Sequence, residues 1–257
     1  MKKVLAMMVF CTVFLLGAVS ASAAANVAAL MYHSVTRNTD RLDDYTVSPE
    51  QLESDIRCFM DNGYIPMTAS ELATEGITNI NGRKVLLLTF DDGYDNFYTE
   101  VFPILKKCNA KATMFLVGSY IDRYGYLNRD QIYEMAHSGL VEMGNHTNSI
   151  HHINMNLLYN IYNDPQAVYD VIEDVRRNGA FIQSITGYEV TSISWPYGYY
   201  TSFLDSAVKR MLGYKISFDT TYGVNIFTGD TVMPLKRMNR ESSATTQMVF
   251  DRANKFF

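Results

Sequence analysis

Two adjacent carboxylates and a run of histidines are the residues of this chain best suited to chemistry. Thr89-Phe90-Asp91-Asp92-Gly93 sets two aspartates at the end of an apolar stretch, Lys84 to Phe90 (KVLLLTF). Neighbouring residues of an extended chain point opposite ways, so one carboxylate can bind a cation while the other stays free as a base. A D-D-G turn with solvated carboxylates is the plainer alternative, because such turns are common. The second cluster, His146-Thr147-Asn148-Ser149-Ile150-His151-His152, holds three of the five histidines. Two imidazoles and a carboxylate make a three-ligand metal site with positions left for water. An interval of five residues between His146 and His151 does not line up on one helix face, so the segment must be a loop that folds His151 back. Three surface histidines are the alternative. His33 ends a further apolar stretch, and Trp195-Pro196-Tyr197-Gly198 follows another. A lone histidine in such a place is usually a packed or surface residue. His137 falls within a helical stretch and takes no role.

These residues gain meaning from the elements that carry them. Asn26 to Val35, Lys84 to Phe90, Lys111 to Val117, Val141 to Thr147, Thr191 to Tyr197, Tyr214 to Asp219 and Thr231 to Met238 read as strands, with a short one over Tyr64 to Thr68. KVLLLTF is a continuous apolar run, as suits a parallel strand buried on both faces. Helices alternate with the strands. One opens at Ser48-Pro49-Glu50-Gln51 with a capping box and proline at the first helical position. Others are expected over Ala69 to Glu75, Asn96 to Cys108 with a break at Pro103, from Asn128 to Gly139, and over Asp164 to Ser184, Ser202 to Leu212 and Thr245 to Phe256. The alternation predicts an α/β fold, a distorted (β/α) barrel of seven parallel strands. In such a barrel the C-terminal strand ends share one face, where catalytic groups gather. His33, Asp91, Asp92, His146 and Trp195 to Tyr197 all lie at or just after strand ends, and that convergence outweighs any single motif.

With those residues in view, the chain resembles the polysaccharide deacetylase family, the nodulation-protein-B homology or carbohydrate esterase family 4 domain. TFDDG resembles its first motif, which implies Asp91 as catalytic base and Asp92 as a metal ligand. His146-Thr147 is similar to the start of its second motif, implying His146 and a second histidine as the other ligands. Trp195-Pro196-Tyr197-Gly198 resembles the third, which lines the groove and supplies a backbone N–H to the oxyanion. Three departures stand out. The histidine spacing is five rather than the commoner four, no arginine lies within Ser192 to Trp195, and no histidine follows His152. All three are similar to the poly-N-acetylglucosamine deacetylase branch. That resemblance implies His151 as the ligand and His33 of Met31-Tyr32-His33 as the acid. Lys236 or Arg237 could stand in electrostatically for the absent arginine. The implied activity is hydrolysis of N-acetyl groups on an amino-sugar polysaccharide of the poly-N-acetylglucosamine or peptidoglycan type. The cofactor is then a divalent metal ion, zinc foremost, with cobalt or nickel as alternatives.

Composition sets outer bounds. The chain has 257 residues, 47% of them hydrophobic, enough for one domain with a sizeable core. The net charge is −5 and no basic patch stands out, which argues against nucleic acid as a partner. No protein partner is evident, and a monomer is expected. Lys2 and Lys3, the uncharged stretch from Val4 to Val19 and Ala21-Ser22-Ala23 read as a cleaved signal peptide. This gives a leader over residues 1–25, a catalytic domain over 26–257, and a secreted or envelope location. The apolar run is short of the roughly 20 residues a spanning helix prefers, so an uncleaved anchor is the weaker alternative. Cys58 and Cys108 would remain, either bridged or as buried thiols. Two other classes fit parts of the pattern. A non-haem iron oxygenase also uses two histidines and a carboxylate. A non-catalytic wall-polysaccharide binding protein could keep the scaffold without the activity. A glycoside hydrolase would have no use for the histidine cluster.

Overall fold

The computed structural model describes residues 24–75, 77–151, 155–229 and 232–255. The expected leader therefore falls outside the described residues up to position 23, and so does His152. In chain order the strands are β1 (Ala25–Tyr32), β2 (Ser34–Val35), β3 (Thr46–Val47), β4 (Tyr64–Met67), β5 (Lys84–Phe90), β6 (Ala112–Leu116), β7 (Val141–Asn145), β8 (Ser192–Ser194), β9 (Ile216–Phe218), β10 (Asn225–Phe227) and β11 (Met238–Asn239). The helices are α1 (Pro49–Asp61), α2 (Ala69–Thr74), α3 (Ile77–Ile80), α4 (Phe102–Cys108), α5 (Arg129–Ala136), α6 (Met155–Asn160), α7 (Pro165–Thr186), α8 (Ser202–Leu212) and α9 (Thr246–Asn254).

A period of two governs the central strands. Leu86, Leu88 and Phe90 of β5 pack in the large core shared with the helices, while Val85 and Leu87 join a smaller core inside the curl of the sheet. Residues Ala28, Leu30 and Tyr32 of β1 alternate with Val27 and Ala29 in the same way. The sheet runs β10-β1-β5-β6-β7-β8-β9, seven strands along its path, with β11 beside β1 and β4 beside β5. Every pairing among β1, β5, β6, β7, β8 and β9 is parallel. Leu235 bridges Phe218 of β9, and Met238 pairs with Leu30 of β1, so residues 235–239 link the two ends of the curl. This is the expected α/β barrel, with its curl distorted.

Helix starts follow the capping chemistry. Ser48 and Gln51 exchange side-chain and backbone hydrogen bonds at α1, and Asn128 and Gln131 do so at α5. Asp164 caps α7, and Gly187, in the left-handed conformation, ends it. The break at Pro103 is a widened helical turn over Phe97–Val101 before α4, where proline has no N–H to continue the regular ladder.

Several expectations need correction. The first strand stops at Tyr32, and Ser34–Val35 turns away to pair with Thr46–Val47. Of the strand expected over 231–238, Thr231 lies outside the described residues, and over 232–238 it is replaced by the bridge at Leu235 and by β11, because Pro234 cannot donate to a ladder. The sheet is not wholly parallel, since β10 lies antiparallel against β1. The short helices α3 and α6 were not expected from the sequence pattern. Cys58 and Cys108 are free thiols. No helix among the described residues is long and apolar enough to cross a membrane.

Candidate functional site

The alternation that builds the two cores also aims the site. Val85, Leu87 and Thr89 face the inside of the curl, and Asp91 continues that series just beyond β5. Met31 and His33 extend the inward series of β1 in the same manner. On β7 the inward residues are Glu142 and Gly144, and His146 is next; on β8 they are Ser192 and Ser194. All of these ends open at one mouth. His33, Asp91, Asp92, His146, His151 and Tyr197 line a single cavity of about 680 Å³ there.

Asp91 is buried and held from two sides. Arg237, itself fully buried, reaches both carboxylate oxygens: Nη1 donates to Oδ1 at 2.8 Å and Nη2 to Oδ2 at 2.8 Å. Nη2 also donates to Ser194 Oγ at 2.8 Å, and the hydroxyl lies 3.3 Å from Asp91 Oδ2. The guanidinium is steadied by its Nε donating to the Asp219 carbonyl at 2.9 Å. Burial works against ionisation of Asp91, but the Arg237 guanidinium outweighs it and holds the carboxyl well below the usual range. Of the two residues expected to replace the absent arginine, Arg237 reaches the carboxylate. Ser194 was missed, because nothing in a Ser-Ile-Ser stretch marks it as a partner of an aspartate.

Asp92 does something different. Its φ of 76° is left-handed, which swings its side chain off the strand direction and into the same cavity as Asp91. Thr147 (φ 69°) and Tyr197 (φ 55°) share this uncommon conformation around the mouth. Asp92 Oδ1 lies 3.6 Å from His146 Nε2 and 3.2 Å from His151 Nε2. That oxygen is buried and has no hydrogen-bond partner among the described residues. One ligand atom from each of the three residues falls within 4.8 Å of the other two. His146 Nδ1 lies 2.7 Å from the Ser194 carbonyl, a bond that takes its proton and leaves Nε2 turned to Asp92 as a lone pair. Burial lowers the His146 pKa to about 3, so the ring is neutral, as a metal ligand must be. Burial raises the Asp92 carboxyl to about 6, a cost that a cation between these atoms would offset. The orphaned carboxylate oxygen and the two imidazole nitrogens fit a divalent ion.

The remaining expected residues divide. His33 borders the cavity with its ring edge-on to Tyr45, the centroids 5.0 Å apart. Tyr197 stacks on His151 at 4.9 Å, and its hydroxyl donates to the His151 carbonyl at 3.1 Å. Trp195 and Pro196 are buried beneath the mouth, and their side chains do not line the cavity. The reason is parity: Trp195 follows Ile193 onto the helix-facing side, where its Nε1 donates to Asp205 at 2.8 Å.

Comparison with known proteins places this geometry. A sequence model of the polysaccharide deacetylase family matches residues 78–217, more than half of the chain. YxkH of Bacillus subtilis (strain 168), named as a polysaccharide deacetylase, is 31% identical over 196 residues, covering 76% of this chain and 64% of that protein. The poly-beta-1,6-N-acetyl-D-glucosamine N-deacetylase of Escherichia coli (strain K12) is 28% identical over 230 residues, covering 76% of this chain and 34% of that protein. The chain thus spans less than two thirds of the length of these relatives. Among solved structures, IcaB from Ammonifex degensii superposes with a TM-score of 0.74 at 25% identity, over 89% of this chain and 97% of that one. The matched segment carries Asp91, Asp92, His146 and His151 but neither His33 nor Arg237, which the fold brings in from outside it. On the family match and the likeness to YxkH together, the chain belongs to the polysaccharide deacetylase family.

Proposed function

We propose that this protein is a secreted or envelope-associated hydrolase that removes N-acetyl groups from an amino-sugar polysaccharide of the poly-N-acetylglucosamine or peptidoglycan type. One observation carries the reading. Adjacent aspartates at one mouth sit in opposite settings, Asp91 clasped by Arg237 and Asp92 facing two imidazole nitrogens. A base and a ligand are the two roles amide hydrolysis asks of such a pair.

Asp92, His146 and His151 would hold the divalent ion, with zinc the best match to the donors and cobalt or nickel able to substitute. Bound there, the ion supplies Lewis acidity for the acetyl carbonyl and for water. Asp91, kept ionised by Arg237, accepts the proton of the attacking water. The Tyr197 N–H, carried on a backbone at φ 55°, donates to the oxyanion. His33, across the cavity, gives the proton that the departing sugar nitrogen needs. The names of the relatives favour an N-acetylglucosamine polymer. The ion pair beside the ligand carboxylate favours hydrolysis over an oxygenase, which needs no such base.

The test is acetate release by the purified chain from poly-N-acetylglucosamine, peptidoglycan, chitin-like oligomers and acetylated xylan, before and after chelation. Release from an amino-sugar polymer that stops on chelation and returns with zinc is expected. A protein that binds metal and polymer yet releases no acetate would instead be a binding protein on this scaffold.

A further inference from the structure

His146 is aimed by a strand, but His151 is not. It stands five residues on, beyond a turn, and no regular element sets its direction. The loop between them begins with Thr147, a β-branched residue at φ 69°, which persists only where its surroundings over-determine it. Those surroundings come from α7. Asn178, fully buried, donates from Nδ2 to the carbonyls of Thr147 (2.8 Å) and Leu116 (2.8 Å) and to Asn145 Oδ1 (2.9 Å). Four residues earlier, on the same face of the helix, Asp174 accepts from the N–H of Asn148 (2.6 Å), the N–H of Ser149 (3.0 Å) and the Ser149 hydroxyl (2.7 Å). Asp174 is 8% exposed, and its carboxylate spends both oxygens on the loop. From the other side the Gly118 N–H donates to the Thr147 carbonyl at 3.1 Å and the Ser119 N–H to the Asn148 carbonyl at 2.8 Å. A Cβ at Gly118 would come within 2.3 Å of Asn178 Oδ1 and 2.6 Å of Asn148 Oδ1, so only glycine lets the two sides close on the loop. Ile150 then plugs the large core, and His151 follows directly.

We propose that Asp174, backed by Asn178, is a positioning residue of the metal site: by gripping Asn148 and Ser149 it sets the angle at which His151 meets Asp92. The inference rests on the metal reading above and adds residues outside the ligand set. Charge-assisted bonds from one rigid helix define the loop's path better than loop packing would. Positioning groups behind metal ligands typically carry 10–100-fold in affinity.

The experiment uses the whole chain with cobalt(II) as the probe, read by competition with a chromophoric chelator and by the visible spectrum of the bound ion. Asp174→Ala is expected to weaken cobalt roughly 10–100-fold and to alter its spectrum. Ser149→Ala, which removes one of the three bonds, should weaken it by less. Thr245→Ala, which removes the cap of α9, a helix packed on α1 and not lining the cavity, should lower thermal stability while leaving affinity and spectrum as in the wild type. If Asp174→Ala fails to fold, Ser149→Ala decides the matter. Folded variants with wild-type affinity and spectrum would overturn the positioning role and leave the ligand set standing. A wild-type protein that binds no cobalt would overturn the metal reading, and this one with it.

Discussion

At the scale of single residues, two identical side chains next to each other are made different by what surrounds them. Arg237 supplies two parallel hydrogen bonds to Asp91, a geometry that fixes the carboxylate and keeps its charge. Among the described residues Asp92 has no such partner, and its Oδ1 faces two imidazoles. Asp92→Asn should therefore lose bound metal and turnover together. Asp91→Asn should keep the metal and lose turnover by roughly 10²–10⁴, the usual share of a general base. Metal analysis beside acetate release distinguishes these outcomes, and loss of metal from Asp91→Asn would make Asp91 a ligand instead. In the same series His151→Ala should lose the ion and His152→Ala retain it. The aspartate pair was legible because TFDDG ends an apolar strand. Its electrostatic partner was legible only as a choice between Lys236 and Arg237, since nothing local says which of two neighbours points inward.

At the scale of elements, strand parity does the sorting. It turns Asp91 and His146 into the cavity, Ser194 towards Asp91 and Trp195 to the helix side. It also explains Gly144, which precedes the histidine strand end on the inward face. A Cβ there would lie 2.5 Å from the Phe115 ring and 2.7 Å from Ser192 Oγ. Gly144→Ala should destabilise the fold by about 1–3 kcal/mol, the cost of overpacking a filled interior, measured by urea denaturation. Because β7 would shift to make room, metal affinity should fall as well. An alanine variant as stable as the wild type would mean that the strands part easily here. The helix caps at Ser48 and Asn128 were readable from sequence because they are local. The strand expected over 231–238 misled because apolar composition outweighed Pro234 in that reading.

At the scale of the whole molecule, segments far apart in the chain must meet for the site to exist. The stretch from Leu235 to Arg240 carries Arg237 to Asp91 and also ties the curl shut. Arg240 anchors it. Its Nε donates to Asp55 Oδ2 at 2.6 Å, both side chains fully buried, and Asp55 also receives the hydroxyls of Tyr32 (2.9 Å) and Thr246 (2.6 Å). Removing one partner of a buried pair leaves an uncompensated charge. Arg240→Met should cost about 3–5 kcal/mol, towards the lower end because the two hydroxyls remain. Equilibrium unfolding gives the number, and a change below 1 kcal/mol would show that the pair is dispensable.

What the sequence determined by itself is everything that depends on near neighbours. The alternation of elements, the capping boxes, the apolar strand ending in Asp91-Asp92 and the histidine cluster all follow from spacing along the chain, because helix and strand periods are local properties. Tertiary structure alone decided which distant residues complete the site. Arg237 stands 146 positions from Asp91 and Arg240 stands 185 from Asp55, and no local period relates such pairs. The left-handed turns at Asp92 and Thr147 were equally hidden, for neither residue type requires one. They persist because packing from other elements holds the backbone where its own preference would not.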